Sequence, residues 1–305
     1  MEPATLGPMA QRGSVRGILV PLITPFAADG RVALGALEAL AGDALDAGAA
    51  GIVALGTTGE AATLDPAEKQ AVIGRCAQVC GPRGAVLVVG AGSNDTGASM
   101  AALSARWPEI SAALVPVPYY TRPGGAGVLA HFTRLAAGSP VPLIVYHIPY
   151  RTAQPLGPAV LRDLARLPNV AGIKLATGGL DQAAIELLAG CPPGFAVLAG
   201  DDVFVSPLLA LGAAGGILAS AHLATQSFAA LAAAWVAGDV PAARDLGHAL
   251  APLSAAAFAE PNPVVIKGAL HAMGRIPTAQ VRLPLLPAGP GPVQALLNCL
   301  AGVRG

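Results

Sequence analysis

Short, continuous apolar runs recur about every 30 residues between positions 17 and 219. They are rich in Val, Ile, Leu and Ala and are separated by more polar segments. The eight runs are residues 17–23, 51–55, 85–89, 112–115, 142–146, 170–174, 195–199 and 215–219. Continuous rather than alternating hydrophobicity is typical of strands buried on both faces, as in a parallel sheet.

The segments between these runs have helical character. Residues 32–46 place Leu and Ala side chains on one stripe, and residues 156–167 and 180–189 behave alike. Asp65 followed by Pro66 is typical of a helix N-cap with proline at the first helical position, and predicts a helix that continues to Cys80. Eight strand–helix repeats predict the α/β class and a (β/α)8 barrel. An open doubly wound sheet is the rival, but no GxGxxG motif follows the first run.

The pattern changes after Gly238. Only helical stretches follow, at about residues 241–258, 263–273 and 292–300. We therefore predict a catalytic barrel over residues 15–238 and a small, all-helical C-terminal domain over residues 239–305. Residues 1–14 are predicted to be a flexible leader, because they lack the apolar segment of a secretory signal.

Charge and hydropathy exclude several classes of protein. Lys and Arg together number 18, as do Asp and Glu, so the formal net charge is zero, which argues against nucleic-acid binding and against a polybasic membrane surface. The mean hydropathy of +0.61 raises the question of a membrane span. The longest uncharged stretch, residues 203–238, is interrupted by glycines and polar side chains, and a buried strand between two buried helices is the favoured interpretation.

The cysteine pattern favours a reducing compartment. The four cysteines show no zinc-site spacing with the histidines. We expect four reduced, mostly buried thiols in a cytoplasmic protein.

In a barrel of this type the functional residues lie at the carboxyl ends of the strands. Lys174 ends the sixth apolar run and is one of only three lysines. A buried ammonium is costly unless it is paired or used, and a desolvated lysine can attack a carbonyl. A Schiff-base lysine is thus favoured over a structural ion pair. Lys69 and Lys267 are interpreted as solvated surface charges.

Other polar residues follow neighbouring runs. Tyr146 ends the fifth run and is either a proton donor or a core tyrosine. Residues 56–60, Gly-Thr-Thr-Gly-Glu, form a candidate carboxylate site. Arg151 is either a bidentate carboxylate ligand or a surface residue. Asp201 and Asp202 follow the seventh run, and capping of the next helix is favoured over metal binding.

Taken together and in this order, the motifs resemble the dihydrodipicolinate synthases of the pyruvate-dependent Schiff-base aldolase and lyase superfamily, which also includes N-acetylneuraminate lyases. The resemblance extends from about residue 17 to residue 287. The motifs that carry it are TPF at 24–26, GTTGE at 56–60, PYY at 118–120, YHIPYRT at 146–152, GIKLATG at 172–178, GDD at 200–202, EPNP at 260–263 and RLP at 282–284.

The resemblance implies roles for the catalytic residues. Lys174 would form the Schiff base with pyruvate. Thr57, Tyr146 and Tyr120 would form a proton relay, with Tyr120 reaching into the site of a neighbouring subunit. The resemblance also implies a homotetramer built as a dimer of dimers.

The resemblance implies binding roles as well. Thr58 and nearby backbone would hold the carboxylate of pyruvate, and Arg151 would meet the carboxylate of the second substrate. Gly200 and Ile217 would line the pocket. No metal or other cofactor is expected, because the imine itself accepts the electrons.

The implied reaction is the condensation of pyruvate with aspartate semialdehyde to 4-hydroxy-tetrahydrodipicolinate. Arg151 favours this acceptor. The main alternative is another pyruvate-dependent aldolase with a different aldehyde, which His147 and Tyr150 would favour. These two residues and Leu175 depart from the common pattern. A non-catalytic protein that binds an oxo acid is a third possibility, which the intact Lys174 argues against.

Overall fold

The computed structural model describes residues 15–104 and 110–304. The predicted leader therefore lies outside the described residues. The predicted barrel is confirmed, since eight parallel strands pair in chain order and the first pairs with the eighth to close the sheet. Helices surround the barrel, and further helices follow the last strand.

The strands lie close to the eight apolar runs and differ from them by one or two residues at the ends. They are β1 (Gly17–Pro21), β2 (Gly51–Ala54), β3 (Val86–Gly90), β4 (Ala112–Pro116), β5 (Leu143–His147), β6 (Val170–Leu175), β7 (Ala196–Ala199) and β8 (Gly215–Ile217). Nearly every strand residue is buried, as expected for strands packed on both faces.

The helices of the barrel and of the C-terminal segment are given in chain order. They are α1 (Leu34–Asp46), α2 (Pro66–Cys80), α3 (Thr96–Leu103), α4 (Gly124–Gly138), α5 (Pro149–Thr152), α6 (Pro158–Arg166), α7 (Gln182–Ala189), α8 (Val205–Ala210), α9 (Ala221–Ala237), α10 (Val240–Ala257), α11 (Val264–Ala272) and α12 (Pro290–Arg304). The uncharged stretch at 203–238 folds as α8, β8 and α9, so its interpretation as a buried strand between helices is confirmed.

Local sequence determines where α2 begins. The Asp65 side chain accepts a hydrogen bond from the Glu68 backbone, and the Glu68 carboxylate accepts one from the Asp65 backbone. This reciprocal capping box satisfies two free N–H groups at the helix start, and Pro66, which has no N–H, needs no acceptor there. The prediction of a helix from Pro66 to Cys80 is confirmed.

The barrel interior is a packed hydrophobic core. Leu19, Val53, Val88, Ile144 and Leu198 all belong to one cluster that fills the centre. The register then places Tyr146 of β5 beside residue 174 of β6 at the top of this cluster. The barrel thereby brings two chemically active side chains from adjacent strands to one end.

The helices after β8 cover one side of the barrel. α10 packs against α9 and α12, and α11 packs against α12 and α9. The apolar side chains of these helices are continuous with the core between the barrel and its helices. This placement carries the segment before α11 to the mouth of the barrel.

Cys76 and Cys80 are buried, Cys191 and Cys299 are half-buried, and all four are free thiols. Across the described residues, no helix combines the length and the hydropathy that a bilayer crossing demands.

Candidate active site

A small cleft opens at the carboxyl end of the barrel. It is bordered by loops that follow several different strands and by the segment between α10 and α11. The predicted site residues that border it are Thr57, Thr58, Tyr146, Arg151, Lys174, Gly200 and Ile217. An adjoining groove of about 1450 Å³ shares Thr57, Tyr146 and Arg151 with this cleft.

Lys174 lies at the centre of the cleft. Its side chain is 6% exposed, and its Nζ lies 4.4 Å from the centroid of the Tyr146 ring. Within the described part of the chain its ammonium makes no salt bridge. Burial lowers the pKa of Lys174 to about 8, although Asp202 and Asp201 oppose that change. A lysine with these surroundings is a usable nucleophile near neutral pH.

Gly200 leaves the space that Lys174 occupies. A Cβ at position 200 would lie 2.9 Å from both Cγ and Cε of Lys174 and 2.7 Å from the backbone oxygen of Leu175. No side chain can fit there without displacing the lysine or the strand. Glycine at this position is therefore a packing requirement of the lysine's extended path.

Tyr146 is buried beside the lysine and stays protonated at neutral pH. Burial raises its pKa to about 12, and the Thr57 side chain opposes this rise. A protonated phenol with a hydroxyl neighbour can donate a proton and take it back.

Residues 56–60 form a tight turn after β2. Residues 57–59 are a 3₁₀ turn, and Glu60 adopts a left-handed conformation with φ of 53°. The Thr24 hydroxyl donates to the Gly59 oxygen at 2.6 Å, which anchors the turn to the loop after β1. Thr58 is buried and borders the cleft.

Glu60 forms a buried ion pair with Lys267. The prediction that Lys267 is a solvated surface charge is wrong, because Lys267 is completely buried and its Nζ lies 2.6 Å from Glu60 Oε1. The backbone N–H of Arg282 donates to the other Glu60 oxygen at 2.8 Å. Burial lowers the pKa of Lys267, and Glu60 opposes that change. A signal was present in the sequence, since Lys267 lies in a helix that is apolar on every side.

The expectation that Asp201 and Asp202 cap the next helix is also wrong. Asp201 Oδ2 accepts from the Gly178 backbone at 2.6 Å, and Asp202 Oδ2 accepts from the Ser220 backbone at 2.6 Å. The two side chains thus tie the loop after β7 to the loops after β6 and β8. Burial raises the pKa of Asp202 to about 6, and the hydrogen bond from the Ser220 backbone opposes this. Both carboxylates border the cleft.

Arg151 lies at the rim of the cleft and is exposed, as is Tyr150 beside it. Its Nε donates to the Tyr150 hydroxyl at 3.2 Å, and its guanidinium lies 5.3 Å from the centre of the Tyr150 ring. The terminal nitrogens of Arg151 make no hydrogen bond within the described residues. They are free to bind a carboxylate end-on.

His147 and Leu175 depart from the resemblance but do not border the cleft. They are buried cross-strand neighbours on β5 and β6. Burial lowers the pKa of His147 to about 4, so this histidine is neutral at pH 7 and an apolar neighbour suits it. Of the three departures, only Tyr150 is in a position to contact a substrate.

Tyr120 lies apart from the cluster around Lys174. It is 88% exposed and has a left-handed backbone with φ of 67°. The structure therefore brings together every predicted site residue except Tyr120. Asn262, for which the sequence predicted no role, also borders the cleft.

Comparison with known proteins gives a family match over most of the chain. The model of the dihydrodipicolinate synthetase family matches residues 14–298. A 4-hydroxy-tetrahydrodipicolinate synthase of Moorella thermoacetica is 40% identical over 272 residues, which are 89% of this chain and 92% of that protein.

Solved structures extend the comparison to the fold. The chloride-inhibited dihydrodipicolinate synthase of Acinetobacter baumannii, solved as a complex with pyruvate, superposes with a TM-score of 0.90 at 35% identity and covers 95% of this chain and 99% of that one. A monomeric dihydrodipicolinate synthase variant superposes with a TM-score of 0.89 at 30% identity, with 95% and 97% covered.

Proposed function

The chain belongs to the dihydrodipicolinate synthetase family, and on that basis we propose that its cleft condenses pyruvate with aspartate semialdehyde to 4-hydroxy-tetrahydrodipicolinate. The protein is a lyase of the Schiff-base aldolase type and acts in lysine and diaminopimelate biosynthesis. The observation that carries this assignment is a buried lysine that has no salt bridge among the described residues and shares one cleft with Thr58 of the turn after β2 and with Arg151.

Lys174 acts first, as a nucleophile. Its neutral Nζ attacks the ketone carbon of pyruvate, and loss of water gives a cationic imine. An amine with a pKa of about 8 is roughly 10% neutral at pH 7, against about 0.03% for an ordinary lysine. Burial of Lys174 therefore raises the fraction of the amine that is neutral and able to attack.

The imine then activates the former methyl group of pyruvate. Loss of a methyl proton gives an enamine, whose carbon attacks the aldehyde carbon of aspartate semialdehyde and forms the new C–C bond. The aldehyde oxygen takes up a proton and becomes the 4-hydroxyl group. The amino group of the product attacks the imine carbon, closes the ring and releases Lys174. One water is released over the whole cycle.

Tyr146 and Thr57 exchange protons with the reacting centre. The raised pKa of Tyr146 keeps its proton available at each step. Tyr120 completes the relay from a second copy of the chain, and its 88% exposure supports a role in contact with a neighbour. This requirement supports a dimer. We further propose that two dimers assemble into a homotetramer and that the protein works in the cytoplasm.

Two separate groups hold the two carboxylates. The hydroxyl of Thr58 and nearby backbone bind the carboxylate of pyruvate next to Lys174. Arg151 binds the carboxylate of aspartate semialdehyde through its terminal nitrogens, with Tyr150 holding its Nε.

Turnover with alternative aldehydes tests this function. We expect turnover with aspartate semialdehyde to exceed turnover with sugar-derived aldehydes at equal pyruvate. Arg151→Met should raise KM for aspartate semialdehyde about 10-fold or more and leave KM for pyruvate unchanged, because a charged hydrogen-bonding partner is lost. Arg162→Met is the matched control, since Arg162 lies on α6 and pairs with Glu186.

A second candidate function is a pyruvate-dependent aldolase with a different acceptor. Tyr150 favours it, because its exposed ring borders the cleft and narrows the space around Arg151. Faster turnover of another aldehyde than of aspartate semialdehyde, in a wild-type protein that forms the pyruvate imine, would replace the first function by this one.

A further inference from the structure

Asn262 joins the helical C-terminal segment to the carboxylate-binding turn. It lies between α10 and α11, and its Nδ2 donates to Thr58 Oγ1 at 2.8 Å across 204 residues of sequence. Both residues border the cleft that contains Lys174. The contact therefore belongs to the site and not to the outer packing of the helices.

The direction of this hydrogen bond has a chemical consequence. An amide NH2 only donates, so the Thr58 oxygen is the acceptor and its own proton points elsewhere. Within the described residues, the Thr58 hydroxyl makes no second side-chain hydrogen bond. Its proton is thus available to an acceptor in the cleft. A carboxylate suits this position because an ionised carboxylate only accepts hydrogen bonds.

The surrounding contacts keep Asn262 and Thr58 at a fixed separation. Two residues after Thr58, Glu60 is held by Lys267 of α11 and by the backbone N–H of Arg282. The segment after β8 therefore grips the turn at three points. Because the Lys267–Glu60 contact is fully buried, the turn cannot move away from Asn262 without breaking an ion pair.

We propose that Asn262 is a positioning residue that directs the Thr58 hydroxyl proton at the carboxylate of pyruvate. This assignment rests on the proposed function. It gives the C-terminal segment a part in recognising the first substrate, in addition to covering the barrel.

Two substitutions separate hydrogen-bond direction from simple support of the fold. Asn262→Ala removes the donor and leaves the Thr58 hydroxyl free to rotate. Asn262→Asp keeps the shape, but its carboxylate accepts the Thr58 proton and adds a negative charge beside the substrate carboxylate. We expect the pyruvate concentration that gives half the maximal rate of Lys174 modification to rise about 10-fold in Asn262→Ala and further in Asn262→Asp. KM for the aldehyde should stay unchanged in both.

The readout is the rate at which pyruvate and cyanoborohydride modify Lys174, measured against pyruvate concentration without any aldehyde. The control is Asn298→Asp, since Asn298 is exposed on α12 and, within the part of the chain that the structure describes, its side chain bonds to Gln294 alone. It should leave the concentration dependence unchanged.

The outcomes distinguish the two proposals. If the wild type is not modified, the proposed function and the role of Asn262 both fail. If the wild type is modified and Asn262→Asp shows the same pyruvate dependence, only the role of Asn262 is overturned. A loss in Asn262→Asp that exceeds the loss in Asn262→Ala supports it.

Discussion

Lys174 and Lys267 are both buried, yet the surroundings of their ammonium groups differ. Lys267 touches a carboxylate at 2.6 Å and lies 4.0 Å from the centre of the Phe26 ring. Lys174 lies 4.4 Å from the centre of the Tyr146 ring and has no salt bridge among the described residues. One lysine is closed in by its partners, and the other faces a cleft.

The difference shows how one residue type serves structure in one place and chemistry in another. Removing one partner of a buried ion pair leaves the other charge buried and unpaired, which is strongly destabilising. The pair with Glu60 therefore makes Lys267 a structural link between α11 and the turn. A buried amine without a salt bridge pays a desolvation cost, and that cost lowers its pKa and makes it nucleophilic. Substitutions at the two positions should therefore affect different properties.

The largest expected effect is the loss of activity in Lys174→Met. Without the amine no imine forms, so turnover should fall by roughly 10³-fold or more. Stability should be unchanged or raised, because methionine fills similar space without a charge to desolvate. Steady-state kinetics and denaturant unfolding of the same sample measure the two effects. A folded Lys174→Met variant with appreciable turnover would contradict the role of Lys174.

Lys267→Met should instead destabilise the protein. Among the described residues it leaves buried Glu60 with the Arg282 backbone as its one remaining donor, so the free energy of unfolding should fall by about 3–5 kcal/mol. Lys69→Met is the control, because Lys69 is a half-buried lysine on α2. This substitution should change the free energy of unfolding by less than about 0.5 kcal/mol. Chemical denaturation measures both. Equal stability of the two variants would show that the buried pair is not a structural link.

Gly200→Ala tests whether activity depends on the position of Lys174 Nζ. The added Cβ would collide with Cγ and Cε of Lys174, so the Nζ must move. We expect kcat/KM to fall by about 100-fold, because a displacement near 1 Å at a reacting group has an effect of that size. The same change at Gly74, where a Cβ meets nothing within 4 Å, should leave kcat/KM close to wild type.

The pH dependence of imine formation gives the smallest effect. Only the neutral amine reacts, so the rate of trapping by pyruvate and cyanoborohydride should rise with pH and level off above about pH 8. Asp202 and Asp201 raise the pKa of Lys174, whereas Arg151 and burial lower it. Asp202→Asn removes a negative charge and should move the midpoint to lower pH. A midpoint that stays fixed, or rises, would contradict the influence of Asp202 on Lys174.

The sequence predicted the barrel, its eight strands and most of the cleft for a common reason. Runs such as residues 142–146 carry local information on burial, and the barrel rule places Tyr146 and Lys174 together at the ends of adjacent strands. The Asp65 capping box is likewise a local signal.

The contacts that the sequence did not predict join distant parts of the chain. Lys267 meets Glu60 across 207 residues, and Asn262 meets Thr58 across 204. No periodicity or spacing reports such a pair, because it depends on how α11 packs on the barrel. Asp202 was misjudged for the same reason, since its partner Ser220 follows the next strand.

The most direct test is to treat the protein with pyruvate and cyanoborohydride and to locate the modified residue by peptide mapping. The difference between the two buried lysines predicts one reduced pyruvate adduct per chain, on Lys174, and an unmodified Lys267. No adduct in a folded sample, or an adduct on Lys267 instead, would contradict the account.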